Sequence, residues 1–235
     1  MSLNEAVVVV AGAGGGAGAA VVRRLSSAGA IIVTADQSLD STEPLVREIG
    51  EAGGQIDAYA LDLLDEDTTR KWADSVTSRF GRVDGVVHLV GGWRGGKGIT
   101  EADLADWDWL SGLLVRTVQN TTRAFHDQLK ASPRGQFVLV SAAEASRPTA
   151  KNASYAAAKA AAEAWTLAVA DSFRGSQAAA TIVVVKALVT PAMREAKPDA
   201  AFKGYTDVVE LADTIASLWD KTAEDVNGER LWLTT

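Results

Sequence analysis

Val7-Val8-Val9-Val10-Ala11-Gly12-Ala13-Gly14-Gly15-Gly16-Ala17-Gly18 is the stretch on which the fold of this 235-residue chain turns. Four valines running into an alanine make a strand with no polar face, the pattern of a strand buried on both sides of a sheet. The glycines that follow let the chain turn tightly, bring backbone amides against a pyrophosphate, and let the next helix pack close to the strand. That helix reads AAVVRRLSSAG, residues 19–29. Strand, glycine loop and helix in this order make the phosphate-binding end of a βαβ unit, here built for a dinucleotide. The loop contains no GKS or GKT, which argues against nucleotide hydrolysis of the P-loop type. Asp36 closes the next strand, 18 positions past Gly18. A carboxylate there can accept both ribose hydroxyls of NAD and would repel the extra phosphate of NADP. Asp62, ending the third strand, suits either an adenine contact or ordinary loop capping.

Working outward, apolar runs recur at Val7–Ala11, Ile31–Ala35, Ile56–Leu61, Gly85–Val90, Phe137–Val140, Thr181–Val185 and Arg230–Leu233. Helical stretches alternate with them: Gly18–Ala28, Thr42–Gly53, Asp65–Phe80, Asp103–Lys130, Tyr155–Phe173 and Val208–Trp219. This rhythm predicts an α/β class chain: a single-domain, doubly wound Rossmann fold over 1–235, with a mostly parallel seven-stranded sheet and helices on both faces. Residues 191–205 form the one long irregular region late in the chain. In this architecture they fall over the carboxyl ends of the strands, as a substrate lid.

Composition narrows the function further. There are no cysteines and only two histidines, so neither a thiol nucleophile nor a metal centre is expected. A net charge of −7 disfavours a nucleic acid partner. No apolar run reaches the roughly 20 residues of a membrane span, and the first residues lack the basic stretch of an export signal. A cytoplasmic protein with a small-molecule substrate is expected. Of the seven tryptophans, Trp72, Trp107, Trp109, Trp165, Trp219 and Trp232 fall in helices, at a helix start or in the last strand, where packing is the default. Trp93 alone sits in a glycine loop, Gly91-Gly92-Trp93-Arg94-Gly95-Gly96, at the expected ligand edge.

Tyr155 and Lys159 lie four residues apart at the start of a long helix and so share one face. The ammonium beside the phenol is expected to lower the phenol's pKa. Together with Gly12, Gly16 and Gly18, this pair resembles the short-chain dehydrogenase/reductase family, whose motifs are TGxxxGxG and YxxxK; Ala11 stands where that family has Thr. The resemblance spans nearly the whole chain. It implies NAD bound by Gly12, Gly14, Gly15, Gly16, Ala17, Gly18, Asp36, Asp62, Gly91, Gly92, Lys159 and Thr190. Tyr155 would be the general acid and Lys159 the ribose-binding catalytic partner. Thr190 would contact the nicotinamide carboxamide, and a homodimer or homotetramer is implied.

Four departures stand out. The family's Ser, 13 positions before the Tyr, is Ala142; Ser141 beside it is expected to face the other way. The family's Asn falls at Leu114, its NNAG reads His88-Leu89-Val90-Gly91, and its Pro-Gly reads Val185-Lys186. Within the family, the Gly91–Gly96 loop, Ala142 and the TPAMREAKPDAAF stretch resemble the dihydropteridine reductases, which use NADH. That narrower resemblance implies a quinonoid dihydropterin substrate, stacked on Trp93 and passing Ala142. A ketoreductase or alcohol dehydrogenase with a weakened catalytic set, and a non-catalytic dinucleotide-binding protein, are the alternatives. His88 is expected in the core with a backbone partner rather than in a catalytic role, and Glu144 as a solvated loop acid, with approach to a substrate as the alternative.

Overall fold

Strand β1 (Val7–Ala11) lies inside the sheet in the computed structural model, which describes residues 3–234. Met1, Ser2 and Thr235 of the expected 1–235 domain lie outside the described residues. The chain continues through α1 (Gly18–Ser27), β2 (Ile31–Asp36), α2 (Glu43–Glu51), β3 (Ile56–Ala60), α3 (Glu66–Phe80) and β4 (Gly85–His88). Then come α4 (Leu104–Ser111), a π-helical turn (Gly112–Arg116), α5 (Thr117–Ala131) and β5 (Gln136–Ala142). Next are α6 (Ala153–Ser172), β6 (Ala179–Val185), β7 (Leu188–Val189) and α7 (Pro191–Ala196). The last elements are β8 (Thr206–Asp207), α8 (Val208–Ser217), α9 (Ala223–Val226) and β9 (Arg230–Trp232).

Seven strands form one sheet in the order β3-β2-β1-β4-β5-β6-β9, every neighbouring pair parallel. The valines of β1 explain why both faces are covered. Val8 and Val10 point into a core made with α1, α2 and α8, while Val7, Val9 and Ala11 point into one made with α3, α5 and α6. Each fully buried valine contributes about 1.5–3 kcal/mol by leaving water. This is the α/β doubly wound fold expected from the alternation of elements. Capping follows the sequence too: Asp65 accepts the Thr68 amide at 2.9 Å to start α3, and Asp207 accepts the Val209 amide at 2.9 Å to start α8.

Three expectations need correction. The fourth strand ends at His88, not Val90, because Leu89 makes a last bond to the Ala11 carbonyl and the chain then leaves the sheet. The helix expected over Asp103–Lys130 is divided by the π turn at Gly112–Arg116. The region 191–205 is not wholly irregular: it opens with α7 and leads into β8, which pairs with β7 in a two-stranded sheet. No helix among the described residues is long and apolar enough to cross a membrane.

Candidate active site

A cleft of about 690 Å³ opens at the carboxyl ends of β1, β2 and β4. Its floor is the glycine loop. Gly12 has φ +83°, and a Cβ there would come within 2.8 Å of the Val90 amide nitrogen. A Cβ on Gly14 would collide with Ser41 and the Asp36 carboxylate. Gly15, Gly16 and Ala17 complete this wall, and α1 begins with no side-chain cap and no acidic residue in its first turn. Amides at such a helix start favour a bound phosphate. The cradle therefore fits a dinucleotide, its backbone space reserved by glycines that a side chain would fill. Gly18 does not wall the cleft. It is buried, and a Cβ would sit 1.9 Å from the Ala13 carbonyl oxygen, so its smallness brings helix and loop together.

Asp36 lies at the cleft's rim, accepting hydrogen bonds from the Gly14 amide at 2.8 Å and the Gln37 amide at 2.8 Å. Asp62 also lines the cleft and accepts the Leu64 amide at 2.9 Å, so it caps its own loop while facing the ligand space. Gly91 and Thr190 wall the other side; Thr190 also caps α7 by accepting the Met193 amide at 3.2 Å. Gly92 is not a wall residue. A Cβ there would run into Trp109 at 2.5 Å and Leu113 at 2.8 Å, so its smallness seats the loop on the α4 region.

Tyr155, Lys159 and Ala142 lie beyond the cleft's walls, and Leu113 joins the two regions: it walls the cleft and packs on the Leu110, Leu114 and Ala158 cluster that also holds Tyr155. Lys159 is 7% exposed and its Nζ donates to the Val140 carbonyl at 3.0 Å. Burial brings its ammonium down to about 8 against the opposing attraction of Glu163 and Glu144. Burial also pushes the Tyr155 phenol up to about 12, and the Glu144 carboxylate adds to the rise. The expected lowering by Lys159 is therefore overturned. The phenol is kept protonated at neutral pH, the form that donates.

Ala142 is buried at the end of β5, presenting a methyl where a second hydroxyl donor would stand. Ser141 does face away, as strand geometry requires: its Oγ donates to Glu163 Oε1 at 2.6 Å. Glu163, 5% exposed, is held on its other oxygen by Arg230 Nε at 2.8 Å, which ties α6 to β9. Sequence reading missed Glu163, although its place four residues beyond Lys159 was the available signal.

His88 is buried, with its ring brought down to about 3 by desolvation and by the Lys159 charge. Its partner is not the backbone, as expected, but Thr117 Oγ1 at 3.1 Å from Nε2. The Thr117 hydroxyl donates to the Leu113 carbonyl, so it accepts from Nε2–H, and the lowered pKa keeps the ring neutral at neutral pH. Glu144 is likewise not the solvated acid expected: it is half-buried, and its Oε2 is enclosed with no hydrogen-bond partner among the described residues.

Trp93 is 59% exposed, outside the cleft walls, over the Gly95-Gly96 backbone. The Gly96 amide bonds the Lys151 carbonyl at 2.7 Å, which fastens this loop to the turn that leads into α6 and Tyr155. Arg94 covers the Trp109 ring at 4.2 Å. Trp107 and Trp109 are each 38% exposed and Trp232 is exposed on β9, although Trp109 does pack, seated against Gly92 and covered by Arg94. Trp72 is buried, meeting Phe125 edge-on in the α3–α5 core.

A family model described as short chain dehydrogenase matches residues 6–201. The chain is similar to a 3-oxoacyl-(acyl-carrier-protein) reductase of Thermotoga maritima, 26% identical over 173 residues, spanning 74% of this chain and 70% of that protein. It is also similar to a 7alpha-hydroxysteroid dehydrogenase of Escherichia coli K12, 28% identical over 137 residues, spanning 58% of this chain and 53% of the relative. The fold superposes on a short-chain type dehydrogenase/reductase from Mycobacterium ulcerans with a TM-score of 0.89 at 24% identity, covering 99% and 90% of the two chains. A metagenomic short-chain oxidoreductase solved in complex with NADP gives a TM-score of 0.81 at 26% identity, covering 100% of both.

Proposed function

The chain belongs to the short-chain dehydrogenase family, and from that premise we propose that it is an NADH-dependent oxidoreductase acting on an activated planar acceptor such as a quinonoid dihydropterin. The observation that carries this is the missing second donor: Ala142 is a buried methyl, and the Ser141 hydroxyl is committed to Glu163. A plain ketone needs its developing oxyanion held, and one lost donor of that kind costs on the order of 10²–10³ in rate. An electron-poor conjugated ring takes hydride with less help.

The dinucleotide supplies the hydride when bound. Its phosphates would rest on the Gly12–Ala17 cradle and its ribose hydroxyls on Asp36, the feature that favours NADH over NADPH. Lys159 would hold the nicotinamide ribose, and Tyr155, held protonated by its buried setting, would donate the proton from its phenol oxygen. Thr190 and Gly91 would close on the nicotinamide side. Trp93 would fold over the acceptor, adding roughly 0.5–1.5 kcal/mol of stacking. A homodimer or homotetramer belongs to the same reading, and analytical ultracentrifugation distinguishes these from a monomer.

The test is oxidation of NADH and of NADPH by the purified protein with quinonoid dihydropterin. No NADH oxidation above background removes the pterin reading, and faster NADPH turnover removes the cofactor preference. A second reading, a ketoreductase with a weakened catalytic set, is favoured by the likeness to the oxoacyl reductase. The Ala142→Ser variant separates them: a large gain on simple ketones supports the ketoreductase, and no gain supports the activated acceptor.

A further inference from the structure

Beside Asp36, whose carbonyl takes the Leu61 amide at 2.9 Å, the cleft is walled by the loop from β3 to α3. Leu61, Asp62, Leu63 and Leu64 all line it. Inside the loop the Leu64 amide bonds Asp62 Oδ1 at 2.9 Å and the Asp65 amide bonds the Asp62 carbonyl at 3.1 Å. The carbonyls of Leu63 and Leu64 are taken by a single side chain from another element. Asn120 Nδ2, on α5, donates to the first at 2.9 Å and to the second at 3.1 Å, one N–H to each. Asn120 is 2% exposed. A side-chain amide is unfavourable to bury, and asparagine is a weak helix former, so its place inside α5 rests on these two bonds. Two further contacts brace the same loop. Arg123, one turn along α5, pairs with Glu66 at the start of α3 at 3.0 Å. The Leu64 side chain lies against Gly112 of the π turn, where an added Cβ would be 3.7 Å from Leu64 Cδ2.

We propose that Asn120 is a positioning residue for the dinucleotide: by clamping two successive carbonyls it fixes the loop at residues 61–65, and with it the Asp62 carboxylate, against the adenine end of the ligand. With the phosphates on the Gly12–Ala17 cradle and a ribose on Asp36, the base attached to that ribose falls at this loop. Asp62 gives one oxygen to the Leu64 amide, and its other oxygen suits the adenine amino group, which donates N–H. That contact depends on where the loop stands, because a drift of about 1 Å ends a hydrogen bond. Asn120 does not itself line the cleft, so its effect on the ligand passes through the loop. This inference deepens the proposed function and rests on the dinucleotide lying in the cleft in that orientation.

Two ligands and two variants separate positioning from plain support of the fold. The ligands are NAD and nicotinamide hypoxanthine dinucleotide, in which an oxygen replaces the adenine amino group. Asn120→Leu keeps bulk without donors. Asn120→Ser has a hydroxyl that can bond the carbonyl four residues back, as those of Thr121 and Thr122 do, and so suits a buried helix position. Calorimetric dissociation constants of the wild type are expected to favour NAD roughly fivefold or more. In both variants NAD should weaken until the two ligands bind within about twofold of each other, with the analogue changed by less than about twofold. Asp62→Ala should give the same loss, and adding Asn120→Ser to it should weaken NAD no further. Should Asn120→Leu fail to fold, Asn120→Ser decides. Parallel weakening of both ligands is what plain support of the fold would produce, and it overturns the proposal. So does an undiminished preference for NAD in a folded variant, or no preference in the wild type. If the NAD preference depends on Asn120 while quinonoid dihydropterin is not reduced, the pterin reading falls and the role of Asn120 stands. No binding of NAD by the wild type removes both.

Discussion

Replacing Lys159 with methionine is expected to make the protein more stable at neutral pH while abolishing turnover. The ammonium is almost wholly buried and is brought from an ordinary value of 10.5 down to about 8. At about 1.4 kcal/mol for each tenfold in the proton equilibrium, carrying that charge costs the folded state about 3 kcal/mol. The figure already includes the opposing attraction of Glu163 and Glu144. Losing the hydrogen bond to the Val140 carbonyl gives back about 1 kcal/mol, leaving a net gain of about 2 kcal/mol. In a domain of this size that is a rise of roughly 4–8 °C in Tm. Below about pH 8 the folded wild type bears the full cost. Between about 8 and 10.5 only the unfolded chain keeps the proton, so wild-type stability climbs with pH and the advantage of the variant narrows. Urea unfolding of both proteins at a series of pH values from about 6 to 10 reads this directly. A variant no more stable than wild type at neutral pH, or a gap that stays constant as the pH rises, refutes the reasoning.

Glu163→Gln removes the carboxylate that raises the Lys159 pKa, so the fall of kcat/KM with rising pH, set by loss of the ammonium, should move to lower pH; an unmoved profile would detach Glu163 from Lys159. Asp36→Ala should shift the ratio of kcat/KM for NADPH to that for NADH upward by at least roughly tenfold, and an unchanged ratio would show that Asp36 does not face the ribose. Gly12→Ala combines a φ of +83° with a 2.8 Å approach to the Val90 amide nitrogen, so calorimetry should show dinucleotide affinity reduced roughly tenfold or more. Trp93→Ala should leave NADH affinity nearly unchanged and weaken dihydropterin turnover; the reverse result would assign the ring to the loop's own packing.

The legible parts of this molecule are those written in short stretches. Val7–Ala11 followed by six loop residues and Gly18 dictates strand, turn and helix because each step depends on neighbours in the chain. Asp36 is found by its distance along the same unit, and Tyr155 with Lys159 by helical spacing. What stays hidden depends on partners far away in sequence. Glu163 becomes a buried, paired carboxylate only through Arg230, 67 positions later, and Ser141. Glu144 gives no local sign of enclosure. His88 has a different kind of partner from the one expected because Thr117 reaches it from another element. The Tyr155 shift runs opposite to expectation for a related reason: a neighbouring cation is visible in a sequence, whereas desolvation and an opposing carboxylate are properties of the packed site. The break between α4 and α5 has no proline to announce it.

That break has a consequence for how the chain tolerates changes in length. A π turn holds one residue more than the α-helical path it replaces, and such turns favour functional sites. Removing a single residue between Gly112 and Arg116 would let the helix close into regular α geometry while α4 and α5 keep their facing sides. The same deletion in α6 between Lys159 and Glu163 would rotate the helix after it by about 100° relative to Lys159 and break the shared face of the two residues. The helix beside Tyr155 thus contains a spare residue: its loss is expected to leave the fold intact while the cleft wall at Leu113 changes shape. A one-codon deletion there is therefore expected to reshape the cleft at Leu113 while the helices on either side keep their register.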